Sequence, residues 1–130
     1  TVDSRLNNDV QLQAELTGSW NDSEYSYDED WAYVGIAPDS EYSSFDQYLR
    51  DYQRTSADIR FLSGPTGRLI NNSSDWVAGI YIMQRNEDLK RNYTYLSAPF
   101  TSSLESQAVA FYGELSSDIS VSTRIISGLR

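Results

Sequence analysis

The 130-residue chain has no cysteine and no histidine, a single lysine (Lys90) and nine arginines. Without cysteine there are no disulfides, no thiolate metal sites and no cysteine nucleophile. Without histidine, the serine–histidine triad, most zinc sites and the commonest general base also fall away. Any catalysis would rest on carboxylates alone, and with nineteen acidic residues an accidental carboxylate pair is easy to find, so no catalytic residue is assigned. Basic residues are too few and too scattered to neutralise a row of phosphates at a net charge of −9, which argues against nucleic acid. No apolar run has the length of a transmembrane helix, and neither a signal peptide nor a starting methionine is present. A mature or excised segment of a longer protein is therefore expected.

What the chain does have is alternation. Hydrophobic residues make up 39% and aromatics 13%, too rich for disorder. From Asp9 the period is two: Val10, Leu12, Ala14, Leu16, Gly18 and Trp20 interleave with polar neighbours, the signature of a half-buried strand. Tyr25 and Tyr27 then follow on odd positions, which predicts a bulge near Asn21–Ser23. Ala57, Ile59 and Phe61 alternate again before the turn cluster Ser63-Gly64-Pro65-Thr66-Gly67. No lysine or helix start follows that cluster, so it is no phosphate loop. Asp75–Gln84 reads as a strand covered on both faces, and Gln107–Arg130 as a hairpin turning at Ser116-Ser117-Asp118. In that hairpin Val109, Phe111, Leu115, Ile119, Val121 and Ile125 form the apolar side, with Glu114, Ser122 and Arg124 opposite.

The expectation is an all-β chain, an antiparallel up-and-down meander of about five strands. Thr1–Asn8 is a polar lead-in. Long connections are expected at about 27–51 and 84–106, with a possible short helix over Ser43–Tyr52. In a meander both long connections fall at one end and both short turns at the other, as in transmembrane β-barrels with short periplasmic turns and long outer loops. Eight of the ten tyrosines (25, 27, 33, 42, 48, 52, 93 and 95) lie in or beside the long connections, where an aromatic girdle belongs. Composition and spacing fit a soluble β-sandwich equally, its apolar face packed on a second sheet and its loops binding carbohydrate or another ligand.

Several stretches resemble a known family. Ser56-Ala57-Asp58-Ile59-Arg60-Phe61, running into Ser63-Gly64-Pro65-Thr66-Gly67-Arg68-Leu69, is similar to a strand and periplasmic turn of TonB-dependent outer-membrane receptors. Asp75-Trp76-Val77-Ala78-Gly79-Ile80-Tyr81 looks like that family's following strand. Ala110-Phe111-Tyr112-Gly113-Glu114-Leu115 and Gly128-Leu129-Arg130 look like its next hairpin, and Trp20–Trp31 resembles its tyrosine-rich strand and loop. The likeness covers roughly residues 9–130, with Asp58 where glutamate is more usual.

The resemblance implies an internal segment of a large plugged barrel in the bacterial outer membrane. Its ligand would be a scarce nutrient, foremost an iron–siderophore complex, and its partners outer-membrane lipid, a plug domain and the TonB system. No cofactor and no metal site are expected. Asp28, Glu29 and Asp30 lack the spacing and glycine of a calcium loop. The ligand-facing set is Trp31, Tyr33, Tyr42, Tyr48, Arg85, Arg91, Tyr93 and Tyr95, since aromatics stack on flat chelators or sugars and arginines attract an anionic ferric complex. For each of these, interface girdle or loop packing is the blander role. Glu114, Arg124, Asp58 and Arg60 are expected on the lumen side as a solvated polar wall. Asn21, Asn71, Asn72 and Asn92 head glycosylation sequons that matter only in a eukaryotic secretory setting.

Overall fold

The computed structural model of the chain describes residues 1–29, 31 and 44–130. The fold is all-β: one antiparallel sheet of six strands in meander order. The strands are β1 (Val2–Arg5), β2 (Val10–Asp28), β3 (Phe45–Ser63), β4 (Ser74–Tyr93), β5 (Phe100–Ser120) and β6 (Thr123–Leu129), and a four-residue helical turn α1 (Leu69–Asn72) precedes β4.

Six strands, not five, arise because the polar lead-in pairs. β1 lies antiparallel to β2, with Val2 opposite Ala14 and Arg5 opposite Gln11. Asn7 closes that hairpin, its side-chain oxygen accepting from the backbone N–H groups of Asp9 and Val10 at 2.8 Å each. This local bond is what an asparagine contributes to a tight turn.

The two long connections are much shorter than the expected 27–51 and 84–106. β2 runs to Asp28 and β3 starts at Phe45, so the Phe45–Tyr52 stretch is strand and not helix. β4 runs to Tyr93 and β5 starts at Phe100. The physical reason is that apolar residues such as Phe45, Leu49, Leu89 and Leu104 are mixed with polar ones there. Periodicity reveals a strand only where one face is apolar, whereas backbone pairing needs no such contrast. The final turn is also displaced. Ser116, Ser117 and Asp118 sit inside β5, opposite Ile126, Ile125 and Arg124, and the turn falls at Val121-Ser122. Those polar residues stay in the ladder because cross-strand partners satisfy them: Ser117 Oγ lies 2.8 Å from Ser74 Oγ, and Asp118 accepts from Arg68 and Arg124. β2 passes Asn21–Ser23 without interruption. Gln13 meets Arg60 and Tyr25 stacks on Tyr48, equal steps along both strands, so the tyrosines share the face of Gln13 and no bulge is needed.

The chain divides into two compact units. Unit 1 comprises 1–18, 55–84 and 107–130; unit 2 comprises 19–54 and 85–106. In unit 1 the usual order of burial is inverted. Ile59 and Phe61 are each 41% exposed, Phe111 73% and Ile119 63%, while Asp58, Arg60 and Tyr112 are half-buried. Among the described residues no apolar side chain is buried at all; the buried ones are Ser44, Asp46 and Ser74. The polar side chains hold one another. Arg60 Nε donates to Gln13 at 2.9 Å and Tyr112 O–H donates to Asp58 at 2.6 Å. At the turns, Arg68 joins Asp75 and Asp118, and Arg124 joins the same two carboxylates.

Two glycines of unit 1 are required by close approach. A Cβ on Gly67 would collide with the Asp9 carbonyl, where the β3–β4 turn crosses the β1–β2 turn. A Cβ on Gly79 would stand 2.5 Å from the Tyr112 ring, which reaches across this position to Asp58. Gly79→Ala is therefore expected to push Tyr112 aside and destabilise the protein by about 1–3 kcal/mol, the usual cost of forcing a methyl into an occupied space. The urea midpoint measures it, and full restoration in the Gly79→Ala, Tyr112→Phe double variant is not expected, because ring carbon Cζ at 2.5 Å stays in the way once the hydroxyl at 2.6 Å is removed.

Candidate functional site

In unit 2 the side chains of one face form a connected tyrosine–arginine wall. Alternation along β3 puts Asp46, Tyr48, Arg50 and Tyr52 on that face, and alternation along β4 adds Arg85, Glu87, Arg91 and Tyr93. Tyr25 and Tyr27 join them from β2.

Asp46 is its centre and has no exposed surface. Arg91 donates to it from Nε at 2.9 Å and from Nη2 at 2.6 Å, and Tyr27 O–H donates at 3.2 Å. Around this pair the rings are stacked. Tyr25 and Tyr48 lie parallel with centroids 4.7 Å apart. The Arg91 guanidinium sits 5.2 Å from the Tyr48 ring and 4.9 Å from the Tyr93 ring, a cation between two π faces. Tyr93 meets Tyr95 edge-on at 5.5 Å, and Arg85 lies 5.5 Å over Tyr52. Next to them Arg50 and Arg85 share Glu87, at 3.4 and 2.7 Å.

The root of the β2–β3 connection is tied to the same wall. Glu29 N–H donates to the Ser44 carbonyl, and the Glu29 carboxylate accepts from Ser44 Oγ at 2.7 Å and Tyr93 O–H at 3.0 Å. Across from it, Phe45 N–H donates to Thr94 Oγ1 at 2.8 Å.

These contacts shift the ionisable groups in a consistent direction. Hydrogen bonds from Arg91 hold the Asp46 carboxyl below its ordinary value, against the opposing pull of burial. The same bonds raise the Arg91 guanidinium further above its ordinary value. Burial, then the bond to Asp46, pushes the Tyr27 phenol up to about 12. Burial also raises Tyr48. The cluster is thus a charged pair shielded by neutral phenols.

Of the eight residues expected to face a ligand, Tyr48, Arg91, Tyr93 and Tyr95 come together in one continuous stack. Arg85 joins the wall through Tyr52 and Glu87 instead. Trp31 is 92% exposed with φ of 54°, and no contact of it enters the wall. Tyr33 and Tyr42 lie outside the described residues. Sequence reasoning missed Asp46, Tyr27 and Glu87. The available signal was alternation: Asp46, Tyr48, Arg50 and Tyr52 stand two apart, a strand pattern that the expectation of a loop or helix there concealed.

The opposite face of unit 2 holds a groove of about 760 Å³. Asp22, Glu24, Asp51 and Asp88 line it with Lys90. Among the described residues no group of three or more carboxylates is arranged to hold a metal ion, and no helix is long and apolar enough to cross a membrane; the latter says nothing of a barrel that crosses with strands.

No protein-family model matches the chain, and no curated protein matches it at a significant level.

The pKa shifts fix how the wall responds to pH. Tyr27 has a folded value raised above the ordinary 10.0, so its contribution is complete below pH 10 and is lost as pH climbs towards 12. Asp46 has a folded value lowered below the ordinary 3.8, so its contribution is complete above that pH and is lost on further acidification. Near-ultraviolet circular dichroism from the stacked tyrosines is expected to stay level from about pH 5 to 9 and to fall on both sides. Tyr27→Phe flattens the alkaline fall, and Asp46→Asn the acid one.

Proposed function

We propose that this chain forms part of the wall of a transmembrane β-barrel in the bacterial outer membrane, in a TonB-dependent receptor that binds and imports a scarce nutrient, foremost an iron–siderophore complex. The observation that carries the reading is the inverted burial in unit 1. Apolar side chains of four neighbouring strands, among them Leu16, Ile59, Ile82, Val109 and Phe111, are exposed, whereas the polar face is knitted together by hydrogen bonds and ion pairs. In water such a surface is a liability; against lipid it is the favoured arrangement, with apolar residues outward and polar ones towards the lumen.

Strand length supports the same reading. A strand needs about 9–11 residues to cross a bilayer, and β2 to β5 have 19 to 21. Exposed apolar side chains of these strands include Leu16, Ile59, Val109 and Phe111 in unit 1 and Trp20, Phe45 and Leu104 in unit 2. In unit 2 they alternate with polar residues such as Asp22, Gln47, Asp51, Asp88 and Lys90. The tyrosine–arginine wall of unit 2 is then the ligand-binding part, with the plug domain and TonB acting through the rest of the protein.

The 130 residues contain no cysteine, so single labels can be placed among them. Single cysteines at 58, 59, 80, 81, 111 and 112 of the intact protein, spin-labelled in outer-membrane vesicles, report their solvent. Labels at 59, 80 and 111 are expected to collide with oxygen dissolved in lipid, and those at 58, 81 and 112 with a water-soluble nickel chelate. If the first set is shielded from both reagents, the apolar face is packed on a second sheet, and a soluble sandwich replaces the barrel.

A further inference from the structure

Unit 1 carries a cavity of about 620 Å³ on its polar face, whose lining includes Asp58, Arg60, Tyr81, Tyr112, Glu114 and Arg130. Two of these charges are engaged: Asp58 accepts from Tyr112 O–H, and Arg60 donates to Gln13. The other two are not. Glu114 has no hydrogen bond or ion pair among the described residues, and Arg130 only leans over the Tyr81 ring, 5.8 Å from its centroid. Glu114 stands opposite Gly128, so Arg130 is its diagonal neighbour across the β5–β6 pair. Such neighbours lie about 7–8 Å apart, and the two charges line one cavity without meeting.

Gly128 adds a second observation. A glycine inside a strand weakens it and marks a bulge, a bend or a place that something approaches closely. The β5–β6 register runs evenly past Gly128, from Gly113 opposite Leu129 to Asp118 opposite Arg124. A Cβ on Gly128 would meet nothing nearer than the Gly113 carbonyl at 3.4 Å, an ordinary contact. Nothing among the described residues therefore requires the missing side chain. Its absence leaves room beside Glu114.

From this arrangement we infer that the cavity binds a small zwitterion, an α-amino acid, with its ammonium group on Glu114 and its carboxylate on Arg130. A guanidinium takes a carboxylate through two parallel N–H donors, and a carboxylate accepts from an ammonium group. An α-amino acid carries both charges on one short backbone, which suits an acid and a base held apart on a diagonal. An ion of one sign satisfies one partner and is repelled by the other, so the pair also discriminates. The Tyr81 and Tyr112 rings supply apolar surface for the ligand's side chain. The inference goes beyond the receptor reading and does not rest on it.

Isothermal titration calorimetry of the intact protein with L-alanine, alaninamide and N-acetylalanine tests the inference. The two analogues each keep one of the two charges. At low salt, alanine is expected to bind at least about fivefold more tightly than either analogue, and the gap to narrow as salt screens it. Glu114→Gln is expected to lower the affinity for alanine and alaninamide by about fivefold and not to weaken N-acetylalanine. Arg130→Gln does the reverse, weakening alanine and N-acetylalanine and sparing alaninamide. Gly128→Val fills the cavity and weakens all three, with circular dichroism establishing that each variant is folded. Equal binding of the three probes, no binding of alanine, or an alanine affinity unchanged in folded Glu114→Gln and Arg130→Gln overturns the inference, and in each case the receptor reading stands.

Discussion

Backbone pairing between neighbouring strands holds this sheet, because the apolar burial that usually stabilises a domain is missing. With no apolar side chain fully buried among the described residues, the hydrophobic term that dominates folding in water has only half-buried side chains to act on, such as Leu12, Trp76, Val77 and Leu115. What remains is the ladder and the side-chain network of one face. Such a sheet has a defined geometry and leaves its apolar side exposed among the described residues.

The network of polar contacts has two styles, one in each unit. In unit 1 it consists of separate short contacts: Arg60 with Gln13, Tyr112 with Asp58, and the Arg68–Asp75–Asp118–Arg124 group at the turns. In unit 2 it is a continuous stack of rings and guanidinium groups built on one buried carboxylate. Stacked phenols around an ion pair lower the local dielectric, which strengthens the pair as long as both partners are present and makes the loss of either costly. Asp46 is therefore the residue on which the arrangement of the wall depends.

Unit 1 was largely legible in the sequence, and unit 2 was not. Val10 to Leu16 and Ala57 to Phe61 announced themselves because one face is apolar and the other polar. In residues 45–52 and 85–93 apolar and polar side chains mix on the faces of the strands, so the apolar–polar contrast is lost although the backbone conformation does not change, and only the series Asp46, Tyr48, Arg50 and Tyr52 marks one face. Ser116-Ser117-Asp118 misled for a related reason: small polar residues favour turns only when no cross-strand partner claims them, and Ser74, Arg68 and Arg124 do. Four of the eight expected ligand-facing residues could be picked out by type alone. Their common anchor, Asp46, could not, because nothing in a sequence distinguishes the one aspartate that is buried from the others among the described residues that are not.

The Tyr112 side chain lies over Gly79 on β4 and ends on Asp58 of β3, so a single hydroxyl links three successive strands. That geometry works as a proofreading device during assembly. Side chains alternate between faces, so a slip of one residue in either pairing would carry Tyr112, Gly79 or Asp58 to the wrong side. The bond forms only when β3, β4 and β5 are all in register, and a mis-paired hairpin is left with a ring colliding where the glycine should be and a carboxylate without its donor.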